Sequence, residues 1–318
     1  MSDRDIISIN YFEDKERFAD LLNGYLFEGR QIIQPDDFRE ADSGVLRIQK
    51  MPGGQDKNIQ AMIRDVVKYL HLHMKVMLIV LQNQTNVHYA MPVRIMNEEA
   101  TGYHRQWREI AAKHKRKKDL RSDEFLSGFS REDRLTAIVS LVLYFGEKPW
   151  DGPVTLREML NLDGIPGELR ELVADYPIHV LEVRRYRNIH YFHTDLQLVF
   201  GFLQNAENKE NLREYVSQHR QEFENLPQDT YDMIEIMSDS GKLQTLKQKY
   251  QTHGGEINMC KAIDDMIEDG RKEGHKEGIQ LAKRVFRLNA QNTSVDDIAR
   301  QCDITVENVL EILDDSVA

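Results

Sequence analysis

Between Tyr11 and Gly29 the apolar residues Phe18, Leu21, Leu22, Tyr25 and Leu26 recur at three- and four-residue spacing. That period predicts an amphipathic helix, with Gly29 as its stop. Asp20 falls near the apolar face of this helix. It reads either as a half-exposed flank or as part of a site. Gln34 to Asp42 is a loop around Pro35, Val45 to Lys50 alternates as a first strand, and MPGGQ (Met51 to Gln55) is a turn. Strands at about 61–70 and 75–84 follow. The second carries a near-continuous apolar run, Val76 to Leu81, which predicts a strand buried on both faces. It ends in Gln82, Asn83 and Gln84, at the rim of a sheet. Side chains alternate along a strand, so Gln82 and Gln84 share a face, and Asp65, one hairpin earlier, is placed to meet them.

Met91-Pro92 breaks the chain, and a helix is predicted from about Val93 to Lys117, with Glu99, Tyr103 and Gln106 along one face. Its end, KHKRKK (Lys113 to Lys118), reads as a solvated terminus whose cations suit the helix dipole, or as a phosphate contact. Leu135 to Phe145 is a second buried strand, closed by the turn GEKPWDGP. A short helix from Thr155 to Leu160, a strand from His179 to Tyr186 and a helix from Asp195 to Gln204 complete an α/β pattern.

Past Asn205 the sequence becomes charged and helical, in segments from Ala206 to Glu224, Thr230 to Gln251 and Ile257 to Leu288. This divides the chain into an α/β domain, residues 1–205, and a helical region, residues 206–318. Gly270, Gly274 and Gly278 recur every four residues in the last long segment. They give either a smooth stripe for another helix or a solvated linker helix, since each glycine costs roughly 1 kcal/mol of helix stability. Ser294 to Leu313 resembles a helix-turn-helix, with Ser294 and Thr305 as caps. Its second helix offers Glu307, Asn308 and Glu311 where a DNA reader presents Arg, Lys or Gln, so it reads as a packing tail.

Composition narrows the class. The 318 residues are 41% hydrophobic and 30% charged, as in a globular protein. No apolar run is long enough to span a bilayer and MSDRDIIS lacks a signal pattern, so a cytoplasmic protein with no membrane partner is expected. Cys260 and Cys302 are far apart and read as reduced thiols. The net charge of −11 argues against a general polyanion-coating protein, although a local field counts for more than the sum. His71 and His73 lack zinc-finger spacing, and the glycines follow no strand, as a phosphate loop would require.

One acid followed by an E/D-x-K-like pair on the next strand is the layout of a Mg²⁺-dependent phosphodiesterase site, and Gln82 stands where that layout wants a carboxylate. The segments RFADLLNGYLFEG, IRDVV, LQNQTNVHYAMPVR, DEFLSGF, LVLYFGEKPWDGP and EDGRKEGHKEG together resemble the Rpn family of recombination-promoting nucleases and transposases, a branch of the PD-(D/E)xK nucleases. The resemblance runs from about Tyr11 to Leu288. It implies a restriction-endonuclease-like α/β core with a mainly helical C-terminal region. It also implies DNA as partner, Mg²⁺ or Mn²⁺ as cofactor, and endonuclease activity linked to recombination or transposition. By the same resemblance Asp65 is the metal-binding acid, Gln84 a catalytic amide, Gln82 the replacement of a Glu and Asp20 a supporting acid. Glu99 is a looser match. Neutral Gln82 brings no negative charge to a cation and cannot act as a base, so weakened cleavage is expected. The alternative is an inactive DNA-binding member, or one that forms homo-oligomers through its C-terminal helices.

Overall fold

A computed structural model describes residues 3–41, 66–72, 75–252 and 254–314. The expected strand Val45 to Lys50, the turn Met51 to Gln55, Asp65 and His73 lie outside these residues.

The helix expected from Tyr11 is two helices, α1 (Asp3–Glu13) and α2 (Lys15–Leu26). Asp14 separates them by capping α2, its carboxylate accepting the Arg17 N–H at 2.9 Å. Gly29, at φ +81°, turns the chain out of α2 in the left-handed region that glycine favours.

A mixed five-stranded sheet follows, β1 (Phe38–Glu40), β2 (Val66–Leu72), β3 (Lys75–Gln84), β4 (Ala137–Tyr144) and β5 (His179–Glu182), ordered along the chain. The first three strands pair antiparallel and the last two pairings are parallel. The parallel step from β3 to β4 needs a crossover, which α3 (Met91–Lys117) supplies. Pro92 sits in its first turn, where a missing N–H costs nothing, and Lys118 closes it at φ +56°.

Strand alternation splits the sheet into two faces. Val66, Leu70, Ile79, Leu81, Leu141 and Leu143 join the main core with Phe18 and Leu22 of α2 and with α6 (Leu196–Asn205). Lys68 shares this face at 0% exposure, and its ammonium donates to the Glu13 carbonyl at the C-terminus of α1 at 2.8 Å. On the other face Val67, Leu78, Val80, Ile138 and Val142 pack toward Tyr103, Met91 and Ile95 of α3. The expected helix Thr155 to Leu160 is a 3-10 turn, Arg157–Met159, a short helix α5 (Gly167–Glu171) follows it, and the strand expected to run to Tyr186 stops at Glu182 and continues as another 3-10 turn, Val183–Arg185.

Two of the three helical segments expected after α6 are broken: the first into α7 (Lys209–Gln218) and α8 (Arg220–Glu224), the second into α9 (Gln228–Ser238) and α10 (Gly241–Tyr250), while the third is one long helix, α11 (Met259–Ala290). Asp239, at φ +55°, breaks the expected helix Thr230 to Gln251. Residue 205 is not a boundary in the core. Tyr215, Val216, Phe223, Tyr231, Ile234, Leu243 and Ile263 bury their apolar sides in the same cluster as α1, α2 and the sheet. Among the described residues of this helical region a separate cluster forms at the far end, where Val285 of α11 packs with Ile298 of α12 (Val295–Cys302) and Val309 of α13 (Val306–Asp314). Between the two clusters α11 is exposed on all sides from Gly270 to Gln280, and a Cβ added at Gly270, Gly274 or Gly278 would meet nothing within 4 Å. No helix among the described residues is long and apolar enough to cross a membrane.

Candidate functional site

Gln82 and Gln84 close β3 on the face that looks toward α3. Gln82 has 0% exposure, and Gln84 is half-buried. The Gln82 amide nitrogen donates to Oε2 of Glu98, and Nε of Arg94, one turn earlier on α3, donates to Oε1 at 3.0 Å. Burial raises the Glu98 pKa, and Arg94 opposes that shift. Oε1 of Gln82 and Oγ of Ser140 are buried without a hydrogen-bond partner among the described residues. Ser140 pairs with Val80 and Gln82 with Val142, so both polar groups lie in the α3 seam, on neighbouring strands. The result is a buried polar cluster of one carboxylate, one guanidinium, one amide and one hydroxyl.

The other candidate acids have different work. Asp20 is 3% exposed, and its carboxylate accepts the N–H of His193 at 2.9 Å, the N–H of Thr194 at 2.8 Å and the Thr194 hydroxyl at 2.7 Å. It therefore anchors the segment leading into α6, among the residues that pack on the Leu81 face of the sheet, whereas Gln82 points to the α3 face. Asp20 and Gln82 cannot share a cation across the sheet. Glu99 accepts a hydrogen bond from the Tyr176 hydroxyl. Tyr103 and Gln106, on the same helical face, dock on β4: the Ile138 N–H reaches the Tyr103 hydroxyl at 3.0 Å, and the Thr136 N–H reaches Oε1 of Gln106 at 2.7 Å. That face of α3 is a docking face for the edge of β4.

Of the expected metal ligands Asp65, Asp20 and Gln82, the first lies outside the described residues and the other two lie on opposite faces of the sheet, whereas Mg²⁺ gathers carboxylates and waters around one near-octahedral point. Among the described residues no group of three or more His, Cys, Asp and Glu could hold a metal ion. The missed member is Glu98. Its signal in the sequence was only a charge four residues after Arg94, the spacing of an ion pair along one helix face.

Immediately beyond Gln84 a cleft of about 470 Å³ opens at the carboxyl ends of β3 and β4, bordered by Thr85, Asn86, Tyr89, Tyr144 and Lys148. This is where open α/β sheets place ligands. Two of its cations are already engaged. Arg4 pairs with Asp239 at 2.6 Å, and Arg184 donates to the carbonyls of Phe145, Leu203 and Met237 at 2.9, 2.7 and 3.1 Å. Tyr89 donates to Asp151 at 2.9 Å.

The basic run Lys113 to Lys118 ends α3 at the opposite edge of the sheet, beside the start of β4. From Glu98 to Lys115 the helix rises about 25 Å at 1.5 Å per residue. The basic run and the Gln82 cluster are therefore separate sites. No family model, curated protein or solved structure matches the chain.

Proposed function

We propose that the chain is a DNA-binding protein on a PD-(D/E)xK-like nuclease scaffold, related to the recombination-promoting nucleases, in which metal-dependent phosphodiester cleavage is lost or strongly weakened. The observation that carries the reading is the burial of Gln82 against Glu98. At the strand end where a nuclease needs a carboxylate open to metal and scissile phosphate, this chain has a neutral amide covered by α3. A Gln can lend an oxygen to a cation, but it adds no charge and accepts no proton at ordinary pH. The nuclease ancestry is supported by chain order. An antiparallel β2–β3 pair leads through α3 to parallel β4, and Val66, next to Asp65 in the chain, pairs with Leu81, next to Gln82.

Nicking of supercoiled plasmid with Mg²⁺ or Mn²⁺ tests this. Wild type is expected to leave the plasmid intact while still retarding it on a gel. Efficient cutting by wild type that Asp65→Ala abolishes would show an active nuclease. Cutting gained by Gln82→Glu alone would identify the amide as the point where activity was lost.

A further inference from the structure

The end of α3 is more than a run of cations. Lys113, Lys115, Arg116, Lys117 and Lys118 are exposed, and none forms an ion pair among the described residues. Two nearby acids are bound to His114 instead, although the charge of Lys117 still reaches Asp119. Asp119 and Asp133 both close on His114, at 2.7 Å to Nδ1 and 2.8 Å to Nε2. Of the other acids nearby, Glu109 pairs with Arg105, Glu124 accepts the Arg131 N–H, and Asp123 and Glu132 face solvent. The same clamp folds the following segment back against the helix. There α4 (Ser122–Ser127) lies beside α3, with the Trp107 indole N–H on the Ser127 carbonyl at 3.0 Å and Gly128 against Ala111. The fold leaves Phe125 71% and Trp107 41% exposed, with Trp107 about two turns before Lys113 on α3.

We propose that this surface, made by the basic end of α3 with Trp107 and the Phe125 ring of α4, docks single-stranded DNA. It rests on the DNA-binding reading above and gives that reading a location about 25 Å along α3 from Glu98. Lys113 and Lys117 lie one turn apart on one face while Lys115, Arg116 and Lys118 fan around the helix end, a cationic collar that attracts phosphates, and each neutralised phosphate releases counterions. An exposed aromatic ring beside them offers a face to an unpaired base, which a duplex keeps stacked inside itself. Arg116 adds a planar guanidinium suited both to phosphate and to a base face. An anionic bilayer also attracts cations, but interfacial insertion takes a helix with a long apolar face, and α4 offers Phe125 and Leu126 on a six-residue helix.

Fluorescence anisotropy of the full chain with a labelled single-stranded oligonucleotide, the matching duplex and vesicles containing anionic lipid decides the matter. The expected order is single strand tighter than duplex, with no vesicle binding. Lys115→Glu, Arg116→Glu and Lys117→Glu together should weaken single-strand binding at least tenfold and flatten the slope of log affinity against log salt by about 2. Phe125→Ala should weaken it severalfold and leave the slope unchanged, with thermal unfolding confirming that both variants are folded. If the charge reversals leave binding intact, the surface is elsewhere and the DNA reading survives. Failure of wild type to bind either DNA would sink both. Equal duplex binding, or binding to vesicles that the single strand does not displace, would overturn this proposal.

Discussion

The guanidinium of Arg17 on α2 lies parallel to the carboxylate of Asp195, just before α6, with Nε to Oδ1 at 2.9 Å and Nη2 to Oδ2 at 2.8 Å. Arg17 also pairs with Asp229 at the start of α9 and covers the Tyr11 ring at 4.1 Å. One side chain thus ties together α1, α2, α6 and α9. Arg17 and Asp195 are 12% and 14% exposed, so removing one partner strands the other charge in a poorly solvated place. Arg17→Ala should cost about 3–5 kcal/mol in urea unfolding. Arg17→Met with Asp195→Leu should recover most of that loss, because no lone charge is left buried. A double variant no better than Arg17→Ala would show that the fork itself, and not the stranded carboxylate, sets the cost.

Asp20 lies one turn further along α2 and grips the adjacent Thr194, so α2 holds the entry to α6 at two consecutive points. Asp20→Ala leaves the His193 and Thr194 N–H groups without their acceptor, a loss of about 2–4 kcal/mol. The measurement is made in chelator. If Asp20 served a cation alone, its removal there would leave stability unchanged.

The sheet was largely legible because its signal is local. Val76 to Leu81 reads as a strand with two covered faces, and alternation places Gln82 and Gln84 together. What alternation cannot give is the depth to which a neighbouring helix covers each of them. Gln82 is sealed and Gln84 is not, because α3 passes over the strand beside the former. The partners of Asp20 were hidden for a similar reason. Its partners are backbone N–H groups more than 170 positions later, and backbone groups carry no residue signature. In the helical region the charge pattern marked helices correctly but hid their breaks, since residues such as Asp239 leave the helix by backbone geometry. The continuous core across residue 205 was hidden because each of α7, α9 and α10 contributes only a few large apolar residues, which look sparse until they meet α1 and α6.

The His114 clamp predicts a pH response. The hydrogen bond that the imidazole donates to Asp119, and then that to Asp133, holds its pKa above the ordinary value. A folded pKa above the unfolded one contributes stability that is complete below about 6.5 and is lost as pH rises through the folded value. Asp119 is held low chiefly by His114, and Asp133 chiefly by the Ser130 N–H, so their contribution is lost only as pH falls through the depressed carboxylate range. The clamp is therefore complete between about pH 4 and 6.5 and opens as pH rises through the raised His114 pKa. Trp107 fluorescence in a Trp150→Phe background should report that opening, since its indole N–H rests on the clamped segment. His114→Gln should abolish that step. A step that persists in His114→Gln would place the titrating group elsewhere.

Gln82→Glu would supply the acid that the proposed nuclease ancestry calls for, and the structure predicts what that costs. The present amide donates to Glu98, and a carboxylate in its place would instead face Glu98 across the same contact in a buried seam. Arg94 holds the opposite oxygen of Glu98 and is one cation for two anions. Two carboxylates so placed cannot both ionise cheaply, so the pair should retain a proton above the usual carboxylate range. Raised folded pKa values mean that folding takes up protons, and stability must fall as pH rises from about 4 toward neutrality. Urea unfolding of Gln82→Glu should therefore match wild type near pH 4 and lie below it by about 1–3 kcal/mol at pH 7, the cost of a buried unpaired charge. A divalent cation would neutralise the pair, so Mn²⁺ should raise the melting temperature of this variant at pH 7 and leave wild type unmoved. A variant as stable as wild type at pH 7 without metal would mean that Glu98 swings away from the strand, and that the seam is open enough to have held a metal all along.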